Sequence, residues 1–181
     1  MTLFDDTPPD QVIKIAIVRL SALGDILHTI PAVWRLKQAV PEAEISWFVE
    51  KSNARLLECF IPFVKIETVS LKGKPLGHLL TEIRRIRSRF RNYFHMVLDF
   101  QGLIKSALLS VFLSSHRVGF HQKNLKEGVA GRFYTDSAAP LDETQHIIRK
   151  NISLADYLLA EQFQIVPSQM DVQYPDQIQY D

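Results

Sequence analysis

The sequence predicts an α/β protein with an open, mainly parallel β-sheet and flanking helices. Short runs of apolar, often β-branched residues recur along the chain and are typical of strands buried on both faces. Segments whose apolar residues follow helical spacing lie between these runs. Strands that alternate with helices are joined by right-handed crossovers, which make the strands parallel.

The first half of the chain shows this alternation. A strand predicted at 12–20, VIKIAIVRL, is nearly all apolar, and the helix expected at 26–40 ends before Pro41. The elements predicted next are a strand at 43–50, a short helix at 53–60 and an extended segment at 64–71.

The second half continues with a longer helix, predicted at 76–94. Its apolar side chains lie at i, i+4, i+7 and i+11 and form one stripe, which consists of Leu79, Ile83, Ile86 and Phe90. The remaining predicted elements are a strand at 95–100, a helix at 104–113, a short strand at 116–120 and a last helix at 144–160 that includes His146.

Length and composition indicate one domain. The 181 residues, 46% of them apolar, are enough for a sizeable core. We predict an N-terminal tail at 1–11, a domain at 12–160 and a polar linker or tail at 161–181. The single cysteine excludes an internal disulfide. Because no secretory signal and no apolar run of roughly 20 residues is present, a cytoplasmic location is expected.

The middle of the chain is basic, although the net charge is only +1. Residues 72–132 contain 12 Lys and Arg against 3 acidic residues. Such a block indicates a phosphorylated substrate or an anionic membrane, or a solvated surface balanced by the acidic flanks. No nucleic-acid partner is expected, because most of these residues lie on one amphipathic helix without a recognition-helix motif.

The first candidate site is the loop RLSALGD after the first strand, since ligands of open α/β sheets bind at the carboxyl ends of strands. The loop lacks the glycine spacing of dinucleotide-binding and P-loop motifs. Asp25 either caps the next helix or is a general base that takes a proton from a sugar hydroxyl. Gly24 allows a turn and a close ligand approach. Ser21 caps the helix or contacts a ligand, whereas His28 is predicted to be a packed helix residue.

Two further loops carry polar residues. In VLDFQGLIKSALLS, Asp99 and Gln101 either cap the following helix or bind a hydroxyl-rich substrate, with Gly102 at the turn and Lys105 offering positive charge. The segment GFHQKNLKEGVAGRFYT is basic and aromatic, and is either a surface loop or a phosphate-contacting loop. No metal site is expected, because the histidines are scattered and no DxD sequence occurs.

Three runs, in this order and spacing, resemble the N-terminal half of the bacterial lipopolysaccharide heptosyltransferases of glycosyltransferase family 9, most nearly the heptosyltransferase I type. These runs are IVRLSALGDILHTIPAV, VLDFQGLIKSALLS and VGFHQKNLKEGVAGRFYT, followed by His146. The resemblance extends from about Val12 to Leu159. It implies a GT-B fold, in which two Rossmann-like domains face a cleft and this chain is the first domain.

The resemblance also implies a division of labour. In the family, the N-terminal domain binds a Kdo-bearing lipid A acceptor and the C-terminal domain binds the donor, ADP-heptose. It implies that Asp25 is the base, that Lys72 and Lys126 lie near the anionic acceptor, and that Ser21 lies beside the donor. The residues expected to bind the acceptor are Ser21, Gly24, Lys72, Asp99, Gln101, Gly102, Lys105 and Lys126.

We therefore expect the acceptor-binding half of an inverting, metal-independent glycosyltransferase that needs no cofactor. Relatives are about twice as long, so the donor domain is expected to be missing and the chain alone to be inactive. The helix at 76–94 directs five arginines outward with Glu82 as their offset, so peripheral contact with the anionic inner membrane is expected. The alternatives are a non-catalytic module that docks on such a membrane and a family 9 transferase with another acceptor.

Overall fold

A computed structural model describes residues 11–71 and 73–166 of the chain. Its strands form one parallel sheet with the order β3-β2-β1-β4-β5-β6. The strands are β1 (Lys14–Val18), β2 (Glu44–Glu50), β3 (Lys65–Val69), β4 (Met96–Asp99), β5 (Arg117–Gly119) and β6 (Asp136–Ser137). The predicted open parallel sheet is therefore confirmed, and the two-residue β6 is an addition to it.

Helices connect these strands and flank the sheet. They are α1 (Leu23–Leu27), α2 (Ile30–Ala39), α3 (Ala54–Phe60), α4 (Leu76–Phe90), α5 (Ile104–Leu113) and α6 (Ile147–Phe163). Short 3₁₀ helices lie at Lys51–Asn53, Gln122–Asn124 and Gly128–Phe133. None of the described helices is long and apolar enough to cross a membrane.

The helix boundaries differ from the prediction at three places. The helix expected at 26–40 is two helices, because Pro31 in the first turn of α2 has no N–H to continue the preceding turn. α4 stops at Phe90, and Asn92 turns the chain with a φ of 53°. α6 begins after His146, whose Nδ1 accepts from the Ile148 N–H, and it continues to Phe163.

Both faces of the sheet are buried, which explains the nearly continuous apolar sequence of the central strands. Along β1, Ile15 and Ile17 pack against the layer that contains α2 and α6, whereas Ala16 and Val18 face the layer that contains α4 and α5. The predicted apolar stripe of α4 lies in this second layer, where each of its four residues is buried.

The strand order positions the site. The chain builds β1, β2 and β3 to one side and then returns to place β4 on the other side of β1. The loops that follow β1 and β4 diverge at this reversal and leave a crevice at the carboxyl ends of the strands. Lys72 and most of the predicted tail and linker lie outside the described residues.

Candidate functional site

The loops after β1 and β4 are tied together by Gln101. Its Oε1 accepts from the N–H groups of Leu20, at 2.9 Å, and Ser21, at 3.1 Å. The structure thus brings together two segments that the sequence separates by about 80 residues. Because the carboxamide oxygen is occupied in this way, the NH₂ group is what Gln101 offers to a ligand.

Asp25 lies in the first turn of α1 at the edge of the crevice. Its Oδ2 accepts from the Ala22 N–H at a long 3.4 Å and forms an ion pair with the Arg19 guanidinium at 2.8 Å. The side chain keeps 42% of its surface exposed. Both interpretations of Asp25 therefore have a geometric basis, because it contacts the helix start and also presents a carboxylate to the crevice.

Arg19 is a site residue that the sequence analysis missed. It is only 6% exposed, and it bridges Asp25 and the backbone oxygen of Phe100, so it joins the loops after β1 and β4. Burial lowers the pKa of the Arg19 guanidinium, whereas the nearby carboxylates of Asp25 and Asp99 oppose this effect. The available indication was a charged residue at the end of a wholly apolar strand, since such a residue needs a partner.

Asp99 ends β4 and is completely buried. One carboxylate oxygen accepts from the N–H groups of Gln101 and Gly102, at 2.8 and 3.1 Å, and the other accepts from the Tyr134 hydroxyl at 2.8 Å. Asp99 therefore holds the loop and does not cap α5, whose N-cap residue is Leu103. Direct contact between Asp99 and an acceptor stays a prediction, and here both of its oxygens are occupied by the protein.

The two glycines of the predicted site differ in what they do. Gly102 has a φ of +67°, and a Cβ there would lie 2.7 Å from Leu125 Cδ2, so the turn requires glycine. Gly24 has no such φ, and a Cβ there would meet open space. The expectation that Gly24 is needed for the turn is wrong, while the close approach of a ligand to Gly24 stays a prediction.

The predicted histidine next to this loop is packed rather than directed at Asp25. The rings of His28 and His146 meet edge to face with their centroids 5.5 Å apart. Asn151 of α6 donates to the backbone oxygen of His28 and to Thr29 Oγ1, and Thr29 in turn donates to the backbone oxygen of Asp25. These bonds fix the end of α1 against α6.

A cavity of about 170 Å³ opens between the loops. Its lining includes Leu20, Ser21, Glu50, Leu71, Gln101, Leu103, Lys105 and Ser106. The structure therefore gathers three of the predicted residues, Ser21, Gln101 and Lys105, around one cavity at the switch point. Its mixed wall, apolar with a few polar groups, suits a small ligand.

The third candidate loop reaches the same end of α5. Glu127 Oε2 accepts from the Ile104 N–H at 2.7 Å, where α5 begins. This contact places the neighbouring Lys126, which is exposed, beside the crevice loops. Within the described ranges, no group of three or more His, Cys, Asp or Glu side chains is arranged to hold a metal ion.

Removing the hydroxyl that bonds Asp99 is expected to destabilise the domain. Tyr134→Phe leaves a buried carboxylate oxygen without its donor, which costs about 1–3 kcal/mol of unfolding free energy. Burial already raises the pKa of Asp99 above its ordinary 3.8. The folded state therefore loses stability as the pH rises from 3.8 through the folded pKa, and this loss becomes larger in Tyr134→Phe.

Urea unfolding at pH 4 and pH 7 measures this effect. The control is Tyr157→Phe, which removes a hydroxyl bonded to the half-buried Asp136 and is expected to add no comparable pH dependence. Equal losses at both pH values in the two variants would show that Tyr134 does not stabilise a buried Asp99 carboxylate.

The fold and crevice define a Rossmann-like α/β domain with a ligand site at the carboxyl edge of its sheet. The sequence model of one family, described as "Glycosyltransferase family 9 (heptosyltransferase)", matches residues 83–177, which is more than half of the chain. The chain therefore belongs to glycosyltransferase family 9, and the resemblance noted from its motifs is confirmed. The matched range includes the loops of Asp99 and Lys126, and Asp25 lies outside it.

Curated relatives extend the similarity over most of the chain. The chain is 32% identical over 150 residues to lipopolysaccharide heptosyltransferase 1 of Campylobacter coli, covering 83% of the chain and 43% of the relative. It is 27% identical over 169 residues to lipopolysaccharide heptosyltransferase 1 of Escherichia coli K12, covering 83% and 53%. The chain thus spans about half the length of the curated relatives it matches.

Solved structures support the fold. The E. coli heptosyltransferase WaaC with ADP-2-deoxy-2-fluoro heptose superposes with a TM-score of 0.71 at 24% identity, covering 90% of this chain and 52% of WaaC. The E. coli ADP-heptose lps heptosyltransferase II superposes with a TM-score of 0.66 at 20% identity, covering 90% and 46%. At these identities the likeness establishes the shared architecture, as the sequence predicts.

Proposed function

We propose that this chain is the acceptor-binding half of a heptosyltransferase that transfers heptose from ADP-heptose to the Kdo of the lipopolysaccharide inner core. The observation that carries the proposal is a half-exposed Asp25, held by Arg19 at the switch-point crevice of a family 9 domain. The curated relatives named lipopolysaccharide heptosyltransferase 1 support the choice of sugar and acceptor.

In the proposed reaction, the Asp25 carboxylate takes the proton of a Kdo hydroxyl as that oxygen attacks the anomeric carbon of ADP-heptose. A new glycosidic C–O bond forms, the bond to the diphosphate breaks, and ADP leaves with the electron pair. Attack from the face opposite the leaving group inverts the anomeric centre. Arg19 holds the carboxylate in place without blocking its exposed side.

Basic residues are proposed to bind the negative charge of the acceptor. Lys105 lines the cavity, Lys126 lies at the start of the same helix, and Lys72 follows Leu71, which is another lining residue. Ammonium groups there would attract the carboxylate or phosphates of the acceptor. Gln101 would donate its NH₂ group, and the exposed Gly24 would let the substrate approach the backbone.

The donor is proposed to bind a second domain of the GT-B type. The loop after β1 has no glycine-rich phosphate motif, and α1 has only five residues. Isothermal calorimetry of this chain is therefore expected to detect no binding of ADP or ADP-heptose at concentrations near 1 mM, where affinity corresponds to about 4 kcal/mol. Micromolar affinity for ADP would assign this chain to the donor instead.

A soluble Kdo-bearing acceptor fragment serves as the positive arm of this experiment. Its binding is expected to weaken about fivefold or more in Lys105→Gln, since a charge-assisted hydrogen bond contributes about 1.5–3 kcal/mol. Lys150→Gln is the matched control, because Lys150 lies in α6 and donates to the Glu143 backbone oxygen away from the crevice. Equal affinity of both variants and wild type would remove Lys105 from the acceptor site.

The lipid acceptor also leads to a location. We propose that the transferase works in the cytoplasm at the surface of the inner membrane, because a lipid A acceptor is anchored in that bilayer. The basic middle of the chain supports this proposal, since juxtamembrane Lys and Arg bind anionic leaflets.

A further inference from the structure

A groove lies between the C-terminal turns of α4 and α5, at the amino ends of β4 and β5. It has a volume of about 690 Å³ and lies at the opposite edge of the sheet from the crevice. Arg87 and Arg91 of α4 line one wall, and Val111 and Phe112 of α5 line the other. We call this feature the α4–α5 groove.

The arginines of α4 fall into two groups. Arg85 pairs with Glu82 at 2.8 Å and donates to the Thr68 backbone oxygen, while Arg89 pairs with Glu67 at 3.0 Å. The expectation that Glu82 alone offsets the arginines is therefore wrong, because β3 supplies Glu67. These two arginines stabilise the contact between α4 and the β3 edge of the sheet.

The other three arginines of α4 have no such partner. In the described part of the chain, no ion pair within 4 Å involves Arg84, Arg87 or Arg91. Their spacing of i, i+3 and i+7 places them along one face of the helix. The positive charge on this face is therefore uncompensated by the described residues, unlike that of the neighbouring face.

Apolar side chains are interleaved with this charge. Leu80, four residues before Arg84, is 54% exposed, and Val111 of α5 is 37% exposed. The guanidinium of Arg87 lies 5.9 Å from the centre of the Phe112 ring, a cation–π arrangement. Basic groups mixed with exposed apolar groups are typical of surfaces that lie in a membrane interface, where phosphates and acyl chains meet.

We propose that the α4–α5 groove and the adjoining face of α4 bind the phosphate headgroups of anionic phospholipids. Arg87 and Arg91 bind the phosphate oxygens with their guanidinium forks, and Val111 and Phe112 contact the glycerol and the first acyl carbons. This inference deepens the proposed membrane location, on which it rests, by naming the surface, and it involves none of the proposed catalytic or acceptor-binding residues.

The placement of this surface is consistent with work on a lipid acceptor. Leu71, which precedes α4, and Lys105, at the start of α5, both line the crevice cavity. The face formed by α4 and α5 thus extends from the groove at one edge of the sheet to the crevice at the other. A membrane bound along this face would bring lipid headgroups to the mouth of the crevice.

Vesicle co-sedimentation with a matched pair of variants tests the proposal. The probe is phosphatidylcholine vesicles with and without phosphatidylglycerol. A basic residue near an anionic surface contributes about fivefold in affinity, so Arg87→Gln/Arg91→Gln is expected to weaken binding to anionic vesicles roughly 30-fold. The control Arg85→Gln/Arg89→Gln removes the same charge from the ion-paired face and is expected to change binding less than about threefold.

Further arms separate the alternatives. Val111→Gln is expected to weaken vesicle binding at high salt, where the apolar contribution remains after charges are screened. Equal losses in the two double variants, binding to neutral vesicles as strong as to anionic ones, or tighter binding to single-stranded RNA than to vesicles would each overturn the proposal. Circular dichroism confirms that each variant is folded.

The outcome is independent of catalysis. If soluble acceptor fragments are turned over normally but the double variants bind vesicles alike, this surface assignment fails and the transferase remains. If vesicle binding follows the arginines but the completed enzyme transfers no heptose, the proposed reaction fails and the lipid surface remains.

Discussion

Asp25→Asn is expected to lower kcat by roughly 10²-fold or more in the transferase completed by a donor-binding half. The variant keeps the size of the side chain and an oxygen for the Ala22 N–H, but its amide does not accept the proton of an attacking hydroxyl. KM for the acceptor is expected to change less than kcat, because the base acts in the transition state. Steady-state kinetics with a soluble acceptor fragment gives both constants.

Asp156→Asn provides the matched control for this experiment. Asp156 of α6 pairs with Arg35 of α2 and is 28% exposed, so the control also replaces a partly exposed aspartate that pairs with a buried arginine. Its kcat is expected to equal that of wild type. Should Asp25→Asn retain activity within a few fold of wild type, Asp25 would be a helix-terminal residue that stabilises α1 and no base.

The fold was accessible from the sequence wherever burial imposes a clear pattern. β1 is apolar on both faces because α2 and α6 cover one face and α4 the other, so its composition alone identifies it. The division between α1 and α2 was missed because apolar spacing continues across it, and the backbone effect of Pro31 decides it. β6 is two residues long and pairs with β5 alone, which is too short for any periodicity.

The site was accessible in part for the same reason. Because parallel strands end at one edge, placing Asp25 and Gln101 at strand ends was enough to predict that their loops meet there. The contacts that organise the crevice are tertiary, as when Glu127 reaches the start of α5 across 23 residues of sequence. A list of strand-end residues does not show which of them turns inward, as Asp99 does, and which stays accessible.

Arg19→Met is expected to have the second large effect, on stability as well as on rate. Removing one member of a buried ion pair costs about 3–5 kcal/mol, and the lower end applies here because Asp25 is partly exposed. In a chain of this size, a loss of about 3 kcal/mol lowers Tm by about 6–12 °C. The Phe100 oxygen also loses its donor, so the loops after β1 and β4 are no longer joined by this bridge.

Arg19→Lys separates charge from geometry. Lysine restores a positive charge beside Asp25 and Asp99, but its single ammonium does not reproduce the fork that binds Asp25 and the Phe100 oxygen together. Thermal unfolding is therefore expected to recover part of the lost Tm, while kcat stays well below that of wild type because Asp25 is no longer held in position. Arg35→Met, which breaks the Asp156 pair, is expected to lower Tm with kcat unchanged. A wild-type kcat in Arg19→Lys would show that Arg19 serves the fold alone and does not position Asp25.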